Sequence, residues 1–350
     1  MNRDQMAAYL LAPLISVSTS AATTEAPASP QLFDDSEIVS VKYPSWFKAS
    51  FMDLREDLDE AQDAGKMGLM LFFGTNGCAY CRAFVDHTLG DQGLQQRLRD
   101  RFDVIGLEMF SSVEITDPEG QQLAVKDFAP REGADVAPTI IFVGTDGEQL
   151  LRLRGFYPPR QFRIVVDYLA GRHFETTSLR DYAIAQTNPG SVMPSADPRP
   201  PTAATTTLDL DRRTTPAERP LLVFFGGSDC PECRQLRSHV LTHPSVSEQL
   251  ERFETAHLDW SDDRTPLVTA LGKRTNPADW ARELEVTQVP TMVFFDEGGR
   301  EVFRLGSQVM RQRMERAMLY VLEGAYADGT TYQQFTRAKT IEELTSAPTR

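Results

Sequence analysis

The chain carries the segment LMLFFGTNGCAYC at residues 69–81. Its first five residues are all apolar, which is typical of a strand buried on both faces of an α/β sheet. The GTNG sequence that follows predicts a turn, and a helix is expected to begin at Cys78. The segment therefore predicts a strand, a turn and a helix whose first turn holds Cys78 and Cys81.

The same pattern occurs a second time, as LLVFFGGSDCPEC at residues 221–233. Each copy is followed by a Pro-Thr pair that opens an apolar strand, and Pro138 and Pro290 both lie 60 residues after the first cysteine of their copy. A shift of 152 residues relates the two copies, which is too long for a solenoid repeat. Each copy is therefore predicted to be a domain with its own core.

The composition is ordinary for a soluble protein of about two domains, with 350 residues, 25% charged residues and 41% hydrophobic residues. The net charge of −14 argues against binding to nucleic acid or to an anionic membrane surface, because both require basic patches. All four cysteines lie in the two CxxC motifs. The cysteines are therefore expected to be reactive residues rather than members of structural disulfides between distant positions.

Six regions are predicted along the chain. They are a possible signal peptide (1–22), a disordered leader (23–42), a first domain (43–174), a Pro-rich linker (175–207), a second domain (208–323) and a C-terminal extension (324–350). The apolar run at 7–17 is too short to span a bilayer, and small residues suited to cleavage follow it. We therefore expect a soluble protein exported to the periplasm, with a cytoplasmic location as the alternative.

Periodicity predicts similar elements in the two copies. In the first, strands are expected at 69–73, 102–107, 139–143 and 149–153, and helices at 51–64, from Cys78, within 121–128 and at 160–169. In the second, strands are expected at 221–225, 253–258, 291–295 and 301–305, and helices at 230–241, 278–285 and 311–322. The tail from Ala325 onward has no counterpart in the first copy, and its aromatic residues indicate that part of it packs on a domain.

Two cysteines three positions apart at the start of a helix can close a small disulfide ring. The first sulfur is then exposed to unpaired backbone N–H groups and to the positive end of the helix dipole, which favours thiolate over thiol. Cys78 and Cys230 are therefore predicted to be nucleophiles. Cys81 and Cys233 are predicted to attack the mixed disulfide and release the product.

Neighbouring charges predict two unequal sites. Arg82 and Arg234 add positive charge one residue after each motif. Glu232, together with Asp229, places negative charge beside the second nucleophile and opposes thiolate formation. Tyr80 holds the equivalent spacer position in the first site. The second pair is therefore predicted to be the more reducing, with electrons passing from the second domain to the first.

The two X-Pro-Thr sequences point to a role in substrate binding. A cis bond at Ala137-Pro138 or Val289-Pro290 would expose backbone polar groups of the preceding residue to an extended substrate, and would keep metal off the sulfurs. Cis isomers are a minority of X-Pro bonds, so spacing alone leaves the isomer open. The position of each proline at the start of an apolar strand favours the cis isomer.

At these residues the chain resembles the thioredoxin superfamily twice, over 43–172 and 208–323. The matching features are the strand–turn–CxxC–helix segments, the Pro-Thr strands, and the hairpin glycines Gly147 and Gly299. The resemblance implies an α/β fold of two thioredoxin-like domains, each a central mixed sheet flanked by helices, with cis-prolines at Pro138 and Pro290. The first copy is similar to the periplasmic thioredoxin-like proteins associated with bacterial sulfur oxidation and disulfide reduction.

The resemblance also implies a thiol–disulfide oxidoreductase whose only redox groups are its disulfides, with no separate cofactor. Its partners would be protein thiols or disulfides and an upstream thiol electron donor or acceptor. The chain departs from general thioredoxins at Phe72 and Phe224, which replace a frequently found buried acid, and in spacer residues that are not Gly-Pro. Proton removal from the resolving cysteine must then use water or another group, and a narrower range of partners is expected.

Other interpretations remain open on the sequence. One zinc ion could be held by both CxxC pairs, but the 148 residues between Cys81 and Cys230 do not match a zinc ribbon or finger, and we expect no metal. The domains could be redox-inactive scaffold modules for a client protein, or a disulfide isomerase. His87 and His239 recur at the same place and are expected to be structural. The sequence does not specify an oligomeric state.

Overall fold

The computed structural model describes residues 33–187, 207–213, 217–227 and 230–346. The predicted signal peptide, the first half of the predicted leader, most of the predicted linker and Asp229 lie outside the described residues. Among the described residues, no helix is both long enough and apolar enough to cross a membrane.

The first domain contains six helices and six strands. In chain order they are α1 (Leu54–Asp63), β1 (Gly68–Gly74), α2 (Ala79–Ala83), α3 (Gln92–Arg99), β2 (Phe102–Glu108), β3 (Glu114–Thr116), β4 (Gln122–Ala124), α4 (Val125–Arg131), β5 (Thr139–Gly144), β6 (Gln149–Arg154), α5 (Pro159–Ala170) and α6 (Leu179–Thr187). Strands β2-β1-β5-β6 form a mixed sheet in which β1 and β2 are parallel and the other pairs are antiparallel.

The second domain repeats this plan. Its elements are β7 (Leu208–Asp209), β8 (Leu221–Gly226), α7 (Pro231–Gln235), α8 (Pro244–Leu250), β9 (Glu254–Asp259), β10 (Leu267–Val268), β11 (Arg274–Thr275), α9 (Pro277–Glu283), β12 (Thr291–Phe295), β13 (Glu301–Gly306), α10 (Arg311–Leu322) and α11 (Tyr332–Ser346). The main sheet has the order β13-β12-β8-β9, with β8 and β9 parallel. The α/β fold of two thioredoxin-like domains, each with a mixed sheet, is confirmed.

The central strands explain why the CxxC motifs lie where they do. All seven residues of β1 are buried, because β2 and β5 pair with its edges and helices cover its faces. The chain leaves β1 through the turn at 75–77, where Gly77 has a positive φ of 87° that favours glycine. This turn brings Cys78 to the start of α2, at the end of the central strand.

Two of the predicted boundaries need correction. Residues 33–42 were predicted to be disordered, but Phe33 packs edge-on against Tyr80 at 4.9 Å and Val39 is buried. The predicted linker begins too early, because α6 and a short 3-10 turn at His173–Glu175 extend the first domain to Thr187. Both segments are ordered by apolar contacts with distant parts of the chain, which local composition does not reveal.

A third difference concerns the region after the second strand of each domain. The helix expected in part of 121–128 is α4, which begins at Val125 and continues to Arg131, because residues 122–124 pair with β3 in a hairpin that was not predicted. In the second domain the segment after β9 pairs β10 with β11, and β10 also pairs with β7, which precedes the domain's central strand. Each domain thus has a small insertion sheet separate from its main sheet, formed by β3 and β4 in the first domain and by β7, β10 and β11 in the second.

The two domains pack against each other. Val136 of the first domain is buried in the core cluster of the second, and Met310 of the second is buried in the cluster of the first. Arg180 of α6 is buried, donates to the carbonyl oxygen of Trp260 and lies over its ring. At the interface, each domain thus contributes an apolar side chain to the core of the other, and the guanidinium of Arg180 is buried between them.

Candidate redox sites

The first site is formed where α2 begins. Cys78 is the N-cap residue of α2 and is bonded to Cys81, with Cα atoms 5.2 Å apart. The backbone N–H of Cys81 donates to Cys78 Sγ at 3.0 Å. Cys78 keeps 9% of its surface exposed, whereas Cys81 is wholly buried. The leading sulfur is therefore the one that a substrate reaches, and a backbone donor is in place to stabilise its thiolate.

The second site has the same local geometry. Cys230 is the N-cap residue of α7 and is bonded to Cys233, with Cα atoms again 5.2 Å apart. The N–H of Cys233 donates to Cys230 Sγ at 3.0 Å. Both cysteines are more deeply covered than Cys78, with 3% and 2% of their surface exposed. Each cysteine is bonded within its own motif, so the four sulfurs do not converge on one metal-binding site.

Both active-site helices change to a π turn after five residues, at Phe84–Thr88 and at Leu236–Val240. His87 and His239 lie in these turns and are exposed, and neither lines the cavity beside its cysteine pair. His239 Nδ1 lies 2.7 Å from the hydroxyl of its neighbour Ser238. Neither histidine is therefore placed to act on the leading cysteine of its pair.

The peptide bonds Ala137-Pro138 and Val289-Pro290 are both cis, and in the second domain Val289 shares a cavity with Cys230 and Pro290 shares one with Cys233. In each loop the threonine hydroxyl donates to a carbonyl three residues earlier: Thr139 to Val136 at 2.6 Å, and Thr291 to Gln288 at 2.7 Å. The residues that precede the prolines differ in exposure. Ala137 is wholly buried, and Val289 is half-buried.

Tyr80, predicted to modulate the first site, joins the two domains. Its hydroxyl donates to Asp35 Oδ2 at 3.0 Å and accepts from the backbone N–H of Met310 at 2.7 Å. The guanidinium carbon of Arg313 lies 3.3 Å from its ring centroid. Burial, followed by the charge of Asp35, raises the pKa of Tyr80 well above its ordinary value. The phenol is therefore a neutral hydrogen-bonding group at physiological pH.

Glu232 occupies the equivalent spacer position in the second site and is also buried at the interface. Burial raises the pKa of its carboxyl, against the smaller lowering effects of its own backbone N–H and of Arg160 and Gln161 on α5. The charge expected beside Cys230 is thus disfavoured by burial. Glu232 nevertheless lines the same cavity as Cys230, so its protonation state bears on that sulfur.

The two arginines predicted to modulate the sites point towards solvent. Arg82 is exposed and lies within 4 Å of the carboxylates of Glu37 (3.7 Å) and Asp86 (3.8 Å). Arg234 is exposed as well. Solvent and nearby carboxylates screen these charges, so the backbone N–H groups are the nearer source of thiolate stabilisation.

Polar side chains approach the resolving cysteines over Phe72 and Phe224, the two residues that replace a buried acid. In the first domain a Cβ added at Gly74 would lie 3.1 Å from Tyr43 Oη and 3.6 Å from Cys81 Sγ. In the second, His257 stacks on Phe224 and lines a cavity of about 330 Å³ together with Cys233. Neither residue follows from spacing: cross-strand register places His257 beside Phe224, and tertiary packing places Tyr43, which lies in no strand, against Gly74 and Gly106.

A cavity lies beside each leading sulfur, and the two cavities differ in size. The cavity at Cys78 has a volume of about 580 Å³ and is bounded by the 35–38 segment and by helices α10 and α11. The cavity at Cys230 has a volume of only about 80 Å³ and is bounded by α5 and α6. Each leading cysteine therefore faces the other domain or the C-terminal extension, and the other cysteine pair does not line its cavity.

Comparison with known proteins places these features in a family, since the thioredoxin-like domain matches residues 54–170 and again 211–322. The chain belongs to the thioredoxin-like domain family. The matched ranges hold both CxxC motifs and both cis-prolines. Family membership together with two intact pairs at helix starts makes this chain a thiol–disulfide oxidoreductase of the thioredoxin-like class.

Solved structures similar to this chain are themselves thioredoxin-fold proteins. A thioredoxin-fold protein from Helicobacter pylori is 22% identical, with 41% of this chain and 92% of that chain covered and a TM-score of 0.34. A thioredoxin from Thermus thermophilus is 27% identical, with 30% and 74% covered and a TM-score of 0.24. The C-terminal domain of DsbD from Neisseria meningitidis is 20% identical, with 33% and 91% covered and a TM-score of 0.25. No curated protein matches the chain.

Proposed function

We propose that the protein exchanges disulfides with protein or small-thiol partners at both CxxC sites, acting as a reductase. The observation that carries the disulfide exchange is the position of each leading sulfur, which caps a helix and accepts a backbone N–H at 3.0 Å. That donor, with the helix start, stabilises the thiolate of the reduced form.

At each site, the proposed exchange uses only the two sulfurs of the CxxC pair and those of the substrate and the thiol donor. In the reduced first site, the Cys78 thiolate attacks a substrate disulfide and displaces one substrate sulfur, which takes up a proton. Cys81 then loses its proton and attacks Cys78 Sγ, and the second substrate sulfur leaves as a thiolate. Two electrons have passed to the substrate, and the site is left as the Cys78–Cys81 disulfide. An upstream thiol donor restores the dithiol, and Cys230 and Cys233 act in the same way.

The two sites are proposed to have different reduction potentials, with the 230/233 pair the more reducing. Glu232 in the cavity of Cys230 supports this order, because any negative charge there opposes the thiolate. A relay from the second site to the first would require the domains to reorient, since neither cavity is lined by a cysteine of the other pair. Glutathione titration of each site, with the other pair replaced by serine, tests the order of potentials.

A redox-inactive scaffold is the second candidate, and the low exposure of all four cysteines favours it. A disulfide-exchange assay separates the two functions. Cys78→Ala and Cys230→Ala should each lower the rate, and the double variant should abolish it. Rates unchanged in all three variants would leave only the scaffold function.

We place this exchange in the periplasm, with the cytoplasm as the alternative. The support is the apolar run at 7–17 with small residues after it, and the confinement of cysteine to the two motifs. Mass spectrometry of the protein recovered from a periplasmic extract tests both the location and the cleavage. Intact protein found only in the cytoplasmic fraction would contradict the proposal.

A further inference from the structure

The backbone edge that precedes the first cis-proline is already occupied by groups from the other end of the chain. Gln333 donates its backbone N–H to the carbonyl of Asp135 at 3.2 Å, and its side-chain Oε1 accepts the N–H of Ala137 at 3.0 Å. Arg313 Nη2 donates to the carbonyl oxygen of Ala137 at 2.6 Å. Alternate residues of the loop are thus paired along one edge, as they are when an extended peptide adds to a strand.

A second set of contacts fixes these groups in place. Asp35 accepts the backbone N–H groups of Gln312 and Arg313, at 3.0 Å and 2.7 Å, at the start of α10, and its Oδ2 also accepts the hydroxyl of Tyr80. The guanidinium of Arg313 lies on the Tyr80 ring. Tyr332 donates its hydroxyl to the carbonyl of Arg313 at 3.3 Å. Arg313 is only 8% exposed, so this arrangement is a buried and preorganised one.

A peptide substrate therefore cannot pair with the backbone of Ala137. A small molecule can still reach Cys78 through the cavity of about 580 Å³. This volume lies within the usual range for small-molecule sites. Side chains of both charges line the cavity, including Glu37, Glu108 and Arg337, which suits a zwitterionic compound. An extended polypeptide would have to displace Gln333 and Arg313 before it could pair with Ala137.

We propose that Gln333 and Arg313 are specificity-determining residues of the first site. They bind the backbone N–H and carbonyl of Ala137, with which a polypeptide substrate would otherwise pair. They thereby restrict Cys78 to low-molecular-mass disulfides. The inference rests on the proposed exchange at Cys78 and Cys81, and the reaction is the one already given: the Cys78 thiolate breaks the small disulfide, and Cys81 releases the second small thiol.

The second site shows a weaker form of the same arrangement. Gln161 of α5 donates through Nε2 to the carbonyl of Val289 at 3.4 Å, and its Oε1 accepts the hydroxyl of Ser307 at 3.2 Å. Val289 is half-buried, whereas Ala137 is wholly buried. The restriction is therefore centred on the first site, and the test is made there.

The test uses the full chain with Cys230→Ser and Cys233→Ser, so that only the first site reacts. The protein is reduced, freed of reductant, and mixed with oxidised glutathione or with insulin. Gln333→Ala should raise the insulin rate about tenfold, since one hydrogen bond competing with the substrate is lost. The rate with oxidised glutathione should stay within about twofold, because a small disulfide does not need the Ala137 edge.

Three further variants control the measurement. Gln334→Ala changes the neighbouring exposed glutamine, which caps the same helix through Thr331, and should leave both rates unchanged. Gln333→Glu keeps an acceptor for the N–H of Ala137 and should keep the restriction. Arg313→Lys keeps the charge but removes the guanidinium that donates to the carbonyl of Ala137, so it should raise the insulin rate as Gln333→Ala does. Hydrogen exchange at the amide of Ala137 should quicken in Gln333→Ala.

The outcomes separate this inference from the proposed function. Activity on oxidised glutathione with an unchanged ratio of the two rates in Gln333→Ala and Arg313→Lys would overturn the inference alone. A parent protein that reduces insulin as fast as oxidised glutathione would do the same. A parent protein inactive on both substrates would overturn the proposed exchange, and the inference with it.

Discussion

His257 lies flat on Phe224, with ring centroids 4.6 Å apart and ring planes 5° from parallel. The two residues are cross-strand neighbours in the parallel β8–β9 pair. Phe224 replaces the acid that thioredoxins often bury here, and the histidine introduces a titratable group on the same face of the sheet as Cys233. The protonation state of His257 is therefore linked to its packing on Phe224.

The first prediction concerns the pH dependence of stability. The side chain of His257 is exposed at the sheet edge, but partial desolvation, and then the charge of Arg237, lowers its pKa, so the folded state favours neutral imidazole. Below the ordinary histidine pKa of about 6.5 the unfolded state binds more protons, and the free energy of unfolding falls as the pH falls. His257→Gln should weaken this acid sensitivity, measured by urea unfolding at pH 7.5 and 5.5. The exposed His239→Gln is the control, and an equal effect in both variants would contradict the assignment.

The second prediction concerns the hydroxyl of Tyr80. Tyr80→Phe leaves the buried N–H of Met310 without its acceptor and removes one of the three donors to Asp35, which should cost about 1–3 kcal/mol of unfolding free energy. The contact between the domains should loosen as well, which would make the 33–42 segment more sensitive to protease. Tyr182→Phe, at a partly exposed ring that stacks on His173, is the control. A loss below that of the control would show that the Tyr80 hydroxyl does not join the domains.

The third prediction concerns the order of attack by the two sulfurs. Cys81→Ser removes the resolving thiol but keeps Cys78, so a mixed disulfide with the substrate should accumulate. Cys78→Ser should accumulate none, because Cys81 is wholly buried. Non-reducing electrophoresis followed by mass spectrometry measures both, with the second pair replaced by serine. A stable adduct on Cys81 would reverse the assigned roles.

The fourth prediction concerns Glu232. Since burial raises its pKa, the carboxyl stabilises the fold when protonated, and that contribution is lost as the pH rises through the folded pKa. Glu232→Gln should therefore raise the free energy of unfolding at pH 8 more than at pH 5. It should also make the second pair less reducing, measured by glutathione titration with Cys78 and Cys81 replaced by serine. The exposed Glu248→Gln is the control, and a more reducing pair in Glu232→Gln would contradict the charge argument.

The central elements were predictable because their signals are local. The apolar run of β1, the turn at 75–77 and the cysteine pair are consecutive, so each helix start at a CxxC motif follows from spacing. Strands β8 and β9 were also predicted, although β9 is shifted by one residue from the predicted strand at 253–258 and their parallel pairing was not predicted. The insertion sheets were not predicted, because strands of two or three residues leave almost no periodic pattern.

The surroundings of the sulfurs were not predictable, for a physical reason. The groups that pair with Ala137 come from positions 176 and 196 residues away, and Gln161 meets Val289 across 128 residues. Such contacts depend on how two finished domains pack, and no local preference encodes them. The same is true of Asp35, which lies in a segment whose composition predicts disorder.

The sequence by itself determined that this chain has two related domains and that a sulfur begins a helix in each, since repetition and spacing over a few residues dictate both. Only the tertiary structure decided what each sulfur faces: a cavity of about 580 Å³ and an occupied backbone edge at Cys78, and a much smaller cavity of about 80 Å³ at Cys230. The reason is that side chains far apart in sequence are brought to the sites only by the packing of one domain on the other.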